Sequence, residues 1–109
     1  MARQTLTGKL IKFTTNVNEI NNNIKESTKA TLVVGENETA KFYRIDLTPV
    51  QEFALQNDKE PLKAGDIVTV EGFTFTTKNG DYFNNYISKG YSLSIVERAE
   101  FASEAVFAI

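Results

Sequence analysis

The sequence predicts an all-β domain, a five-stranded barrel closed at one end by a single short helix. Three stretches carry that prediction. In Phe42-Tyr43-Arg44-Ile45-Asp46-Leu47, the residues Tyr43, Ile45 and Leu47 alternate with Phe42, Arg44 and Asp46, which is the two-residue period of a half-buried strand. Thr48-Pro49-Val50-Gln51-Glu52-Phe53-Ala54-Leu55 follows as a helix. Thr48 can cap it, Pro49 suits its first position, Gln51 stands where a capping box wants Glu or Gln, and Val50, Phe53 and Ala54 give it one apolar side. Leu62-Lys63-Ala64-Gly65-Asp66-Ile67-Val68-Thr69-Val70-Glu71-Gly72 then returns as a strand, and Lys78-Asn79-Gly80-Asp81 brings Asn-Gly between two strand-like runs, the preferred centre of a tight hairpin.

A small helix sealing the barrel between strands three and four is the plan of the five-stranded Greek-key OB-fold, and the remaining segments fit it. Strand one covers 5–15 with Leu6, Leu10, Ile11 and Phe13, and Gly8 inside it marks a bend that lets one strand serve both halves of the barrel. Residues 16–27, with Asn21-Asn22-Asn23 at their middle, read as an exposed loop. Strand two covers 29–34, with Ala30, Leu32 and Val34 facing one way, and Gly35-Glu36-Asn37-Glu38-Thr39 has turn composition. Strand three covers 40–47. Pro61 ends the charged loop 57–61 and stops any helical continuation. In strand four Val68 and Val70 share one face, while Ile67, Thr69, Glu71, Phe73 and Phe75 share the other. Strand five covers 82–88, Gly90 breaks it, and 91–97 continues with Tyr91, Leu93 and Ile95 on one face. The domain is thus 1–97, and 98–109 is a short acidic and apolar tail.

A chain of 109 residues supports one core. No apolar run approaches the ~18 residues of a membrane span, and the first residues lack the apolar core of a signal peptide. With no cysteine there is no disulfide or thiolate chemistry, which fits a reducing cytoplasm. With no histidine, histidine-based zinc sites and acid–base catalysis fall away. Asp46, Asp66, Glu71 and Asp81 share neither a motif nor a face, so neither an enzyme nor a bound cofactor is expected. The net charge of −2 opposes a uniform polyanion binder. Residues 1–35, however, hold Arg3, Lys9, Lys12, Lys25 and Lys29 against Glu19 and Glu26. A phosphate backbone needs only a local basic groove.

The aromatic-x-Arg strand at Phe42-Tyr43-Arg44, the helix after it, the run from Lys63 to Gly72 and the threonine-rich arm together resemble bacterial and phage single-stranded DNA-binding proteins, over roughly 42–97. The resemblance implies an OB-fold, sequence-independent binding of single-stranded DNA in replication or recombination, a homo-oligomer, and the cytoplasm of a bacterial host; the small size of the chain suggests a phage or mobile-element origin. It gives Phe42 the position of the family's stacking aromatic. The family's usual arm tryptophan is absent, and Tyr82 or Phe75 stands in its place. The tail has Glu100, Phe101, Glu104, Phe107 and Ile109 but neither a Gly/Pro-rich linker nor an aspartate run. It reads either as a terminal element packed on this or a neighbouring subunit, or as the tip by which family members recruit replication and recombination proteins.

Single-stranded DNA offers unstacked base faces and a charged backbone, so a tolerant binder interleaves rings with cations. Each stacked base contributes on the order of 1–3 kcal/mol. A closed core cannot absorb every ring, and Phe42, Phe73, Phe75, Tyr82 and Tyr86 are the candidates for stacking; Arg44, Lys12, Lys41 and Lys78 are the accompanying cations, with Lys89 a further candidate. Phe53 and one of Tyr82 or Phe83 are expected inside. Stacking alone does not read the 2′-OH, so RNA suits the same surface. The alternative is an OB-type interaction module or structural subunit whose exposed rings meet protein.

Overall fold

The sheet is organised by β1 (Gln4–Ile20), which pairs with two different neighbours. In the computed structural model, which describes residues 2–99, Gln4 to Lys9 run antiparallel to β4 (Ile67–Gly72), and Lys9 to Ile20 run antiparallel to β2 (Asn23–Val34). β2 pairs with β3 (Lys41–Asp46), and β3 pairs in parallel with β6 (Tyr82–Ile87). β6 pairs with β5 (Thr74–Asn79), and β4 with β7 (Ser92–Glu97). The result is one curled mixed sheet, β5-β6-β3-β2-β1-β4-β7, forming a half-barrel, with α1 (Thr48–Gln56) between β3 and β4.

The all-β class holds, but among the described residues seven strands stand where five are expected. The cause is a bend in each arm of the last hairpin. β4 passes into β5 at Phe73, β6 passes into β7 through 88–91, and the Ser88 N–H donates to the Phe73 carbonyl at 2.8 Å, tying the bends together. Gly72 is buried beside them, where a Cβ would lie 2.9 Å from that of Tyr91.

Alternation fills the interior. Leu10, Ala30, Leu32, Tyr43, Ile45, Val68, Val70 and Ile87 meet Leu47 and Leu62 in one cluster; burying each larger aliphatic side chain is worth about 1.5–3 kcal/mol. Two devices in β1 make the curl possible. A Cβ on Gly8 would sit 2.1 Å from the Val33 carbonyl oxygen, so only glycine allows that approach. Further on, Ile11 pairs with Thr31 and Thr14 with Lys29, leaving Lys12 and Phe13 together opposite Ala30. In this two-against-one bulge Lys12 takes φ +53°, and such bulges re-aim side chains. Phe13 turns to the core.

Asp66 closes the structure from below and is fully buried. Its Oδ2 accepts from the Lys63 N–H (3.0 Å) and the Arg98 guanidinium (2.8 Å), and its Oδ1 from the Ala99 N–H (2.8 Å). Its carbonyl accepts from the Leu10 N–H at 2.9 Å. The first residues of the expected tail are therefore fastened to the turn before β4. The reading of that tail as a recruiting tip falls on residues 100–109, outside those described.

Several expectations need correcting. Residues 16–27 are not a loop: β1 and β2 continue as a two-stranded arm turning at Asn21-Asn22, with φ of 52° and 66°, the left-handed pair that a type I′ hairpin requires. Both faces of this arm meet solvent, so no apolar alternation betrays it. The other hairpin turns one residue later than Asn-Gly would place it. Asn79 pairs with Tyr82, and Gly80, at φ +65°, takes the first central position, as in a type II′ turn. In α1 the carboxylate of Asp46, not Thr48, accepts the first free N–H, that of Thr48, at 3.0 Å. Gln51 bonds the backbone of Leu62 through both its amide atoms rather than closing a capping box. Val50 and Ala54 face inward, leaving Phe53 56% exposed beneath the Lys59 ammonium. Neither Tyr82 nor Phe83 is buried, at 78% and 67% exposure, because β5 and β6 reach beyond the core.

Gly8→Ala should lower unfolding stability by about 2–3 kcal/mol through forced separation of β1 from β2. Gly80→Ala, with nothing within 4 Å of its Cβ, should cost only about 1 kcal/mol, for its positive φ. Urea midpoints measure both; an unchanged midpoint for Gly8→Ala would show that β1 does not make this approach.

Candidate nucleic-acid interface

Register decides which side chains share the outer face. On β3 the outward residues are Phe42, Arg44 and Asp46, and their β2 partners are Val33, Thr31 and Lys29. Arg44 is also in register with Tyr86 of β6, which pairs with Phe75 of β5. A transverse row therefore runs Phe75, Tyr86, Arg44, Thr31. The Phe75 and Tyr86 rings stack with centroids 5.1 Å apart and planes 11° from parallel. The Arg44 guanidinium carbon lies 5.9 Å from the Tyr86 centroid, within cation–π range.

Beside this row opens a groove of about 630 Å³. Lys12, Lys29, Arg44 and Lys89 line it together with Phe75 and Tyr86, and Asp46 is the carboxylate among its lining residues. The β1 bulge brings Lys12 there. Burial pushes the Asp46 carboxyl up, but hydrogen bonds from the Thr48 hydroxyl and N–H and the charges of Lys29 and Lys89 outweigh it and hold the group below its ordinary value. The groove thus keeps one fixed negative charge, already engaged, among four cations.

Of the residues expected from sequence, Lys12, Arg44, Phe75 and Tyr86, with the further candidate Lys89, meet in the groove. Phe42 lies on the same outer face of β3, 53% exposed, two residues from Arg44. Tyr82 shares the strand face of Tyr86, four residues further along the arm. Lys78 pairs with Phe83 on the opposite face of that arm, its ammonium 5.8 Å from the ring centroid. Phe73 sits at the bend beneath the Arg3 guanidinium, 5.5 Å away. Lys41 alternates to the other side of β3 from Phe42 and Arg44 and does not line the groove. Lys29 was not singled out in the sequence. Its signal is the two-residue step from Lys29 to Thr31, opposite in phase to the buried Ala30 and Leu32. Asp66, Glu71 and Asp81 are dispersed: Asp66 is held by Arg98, Glu71 by Arg3, and Asp81 is at the hairpin turn. Among the described residues, no group of three or more acidic side chains is gathered in a way that could hold a metal ion.

A larger cavity, about 720 Å³, lies between the β1–β2 arm and α1. There Lys25 and Lys89 are matched by Glu26, Asp46 and Glu52, and the ring present is Tyr91, whose hydroxyl donates to the Asp46 carbonyl at 2.6 Å. It has neither a surplus of positive charge nor a free ring. The smaller groove is therefore the better nucleic-acid candidate despite its size. No helix among the described residues is long and apolar enough to cross a membrane. No family model and no curated protein matches the chain.

Burial, reinforced by the Asp46 charge, pushes the Tyr91 phenol up from 10.0 to about 12. A group raised on folding stabilises the protein fully below its unfolded value and loses that contribution as pH rises through the folded one. Unfolding stability should therefore fall between about pH 10 and 12, and Tyr91→Phe should flatten that decline. In an ultraviolet tyrosinate titration the component near pH 12 should vanish in the variant; its persistence would show that the late-ionising phenol is not Tyr91.

Proposed function

We propose that this chain is a non-catalytic, sequence-independent single-stranded DNA-binding protein built on an OB-type barrel, acting in replication or recombination. The long first strand shared by two neighbours, the helix after β3 and the parallel β3–β6 pairing support the OB reading. The observation that carries the function is the groove itself: Lys12, Lys29, Arg44 and Lys89 surround one engaged carboxylate next to a stacked ring pair. The cations bind phosphates and release counterions. The stacked pair offers an aromatic platform to a base face, which every base possesses, so no sequence is preferred. Phe42 extends this surface along β3.

A second reading, an interaction module, draws support from a different surface. Val17, Ile20 and Ile24 stand exposed on the β1–β2 arm, and Leu55 on α1. Exposed apolar patches of this kind fit protein contact. Ile20, Ile24 and Leu55 line the larger cavity, which shares Asp46 and Lys89 with the basic groove but not Lys12, Lys29, Arg44, Phe75 or Tyr86, so a homo-oligomer joined there would leave most of the groove open to DNA.

An oligo-dT 30-mer should bind at low salt, quench tyrosine emission and dissociate as salt rises, while a duplex of the same length should bind more weakly. Lys29→Ala should weaken binding and reduce the salt slope by about 0.7, the share of one single-strand phosphate. No binding of dT at low salt would overturn the reading. An unchanged slope would remove Lys29 from the backbone path.

A further inference from the structure

The two rings of the groove are not equivalent. β6 lies between β5 and β3 in the sheet, so Phe75 and Arg44 approach Tyr86 from opposite sides. Phe75 stacks on it at 5.1 Å, and the Arg44 guanidinium sits over it at 5.9 Å. A ring has two faces, and both faces of Tyr86 are taken. Phe75 stands on β5, which among the described residues is the edge strand, with β6 as its ladder partner and no strand beyond it. It is 44% exposed, and among the described residues Tyr86 is its ring contact.

We infer that Phe75 is the ring on which a base stacks, and that Tyr86 is a positioning residue fixed between Arg44 and Phe75. This rests on the proposed single-strand binding and assigns roles within that site. Arg44 attracts the negative face of the Tyr86 ring. Tyr86, held in plane, fixes Phe75 parallel to itself. An incoming base then extends a column running Arg44, Tyr86, Phe75, base, and meets a platform already oriented. A base entering between the rings would first have to open their stack. The same guanidinium has donors to spare beyond its contact with the ring, so the inner end of the column also presents positive charge to the backbone.

The test uses the full chain with oligo-dT carrying photoreactive 5-iodouracil, crosslinked and mapped by mass spectrometry, beside affinities for four proteins. In the native protein the crosslink should fall on Phe75 and not on Tyr86. Phe75→Leu, which keeps an apolar side chain but no ring, should weaken binding roughly 5- to 150-fold, the range for one lost stacked base. Tyr86→Phe, which keeps the ring, should retain the Phe75 crosslink. Tyr86→Leu, checked for native circular dichroism, should still bind DNA but lose crosslink yield at Phe75. If the native protein binds no dT, the functional reading itself fails. If it binds but crosslinks at Tyr86, or at neither ring, the assignment of Phe75 is overturned. If Tyr86→Leu leaves the Phe75 crosslink undiminished, Tyr86 does not position it.

Discussion

In β1, Lys12 and Phe13 both stand opposite the single residue Ala30, and the arrangement of everything outside depends on that one extra residue. Strand side chains alternate, so a register shift by one sends every following side chain to the other face. With the bulge, Phe13 joins the core while Lys12 and Thr14 reach the groove. Without it, Phe13 would face outward and Thr14 would face the interior. The left-handed backbone of Lys12, φ +53°, is a conformation that a lysine seldom adopts and that costs free energy. The strand accepts it because Gly8 has already brought β1 against Val33, fixing where the sheet must curl.

That curl explains how a chain with a net charge of −2 can present a basic surface. Three strands and the connection after β6 contribute one cation each to a concave strip: Lys12 from β1, Lys29 from β2, Arg44 from β3, and Lys89 from the segment before β7. The described acidic residues other than Asp46 do not line it; they are spread over the β1–β2 arm, the β2–β3 turn, α1 and the loop after it, β4, the β5–β6 turn and β7. Concentrated positive charge in a cleft attracts a polyanion whatever the total. Asp46, the exception, spends its charge on the helix start through Thr48 and on its neighbours Lys29 and Lys89. The one carboxylate in the groove therefore serves the fold, fastening α1 to the end of β3.

Legibility in the sequence followed the core. Where one face of a strand is buried, alternation shows it: Tyr43 and Ile45, Val68 and Val70, and Ala30 and Leu32 all lie inside as their spacing requires. The outward placement of Phe42, Arg44 and Phe75 follows from the same phase. Segments without a buried face left no such trace. The arm formed by the end of β1 and the start of β2 is solvated on both sides, so its polar composition imitates a loop. Phe53 misleads for a related reason. The short helix offers two adjacent apolar stripes, and the small pair Val50 and Ala54 fits against the sheet where the larger ring does not. The bulge at Lys12 has no signal in residue type, since neither lysine nor phenylalanine favours it. The junctions at Phe73 and around Gly90 are only half visible, through Gly72 and Gly90. Five predicted strands accordingly became seven.

The central claim is that the strip holding Lys12, Lys29, Arg44, Lys89 and Phe75 is where a single strand of DNA lies. Backbone amide shifts in ¹H–¹⁵N spectra, recorded as oligo-dT is added at low salt, test it residue by residue. The account predicts that the largest changes fall on Lys12, Thr14, Lys29, Arg44, Phe75 and Lys89, with the Asn21-Asn22 turn and α1 nearly still. Changes confined to that turn and α1, or spread evenly over the molecule, would contradict it.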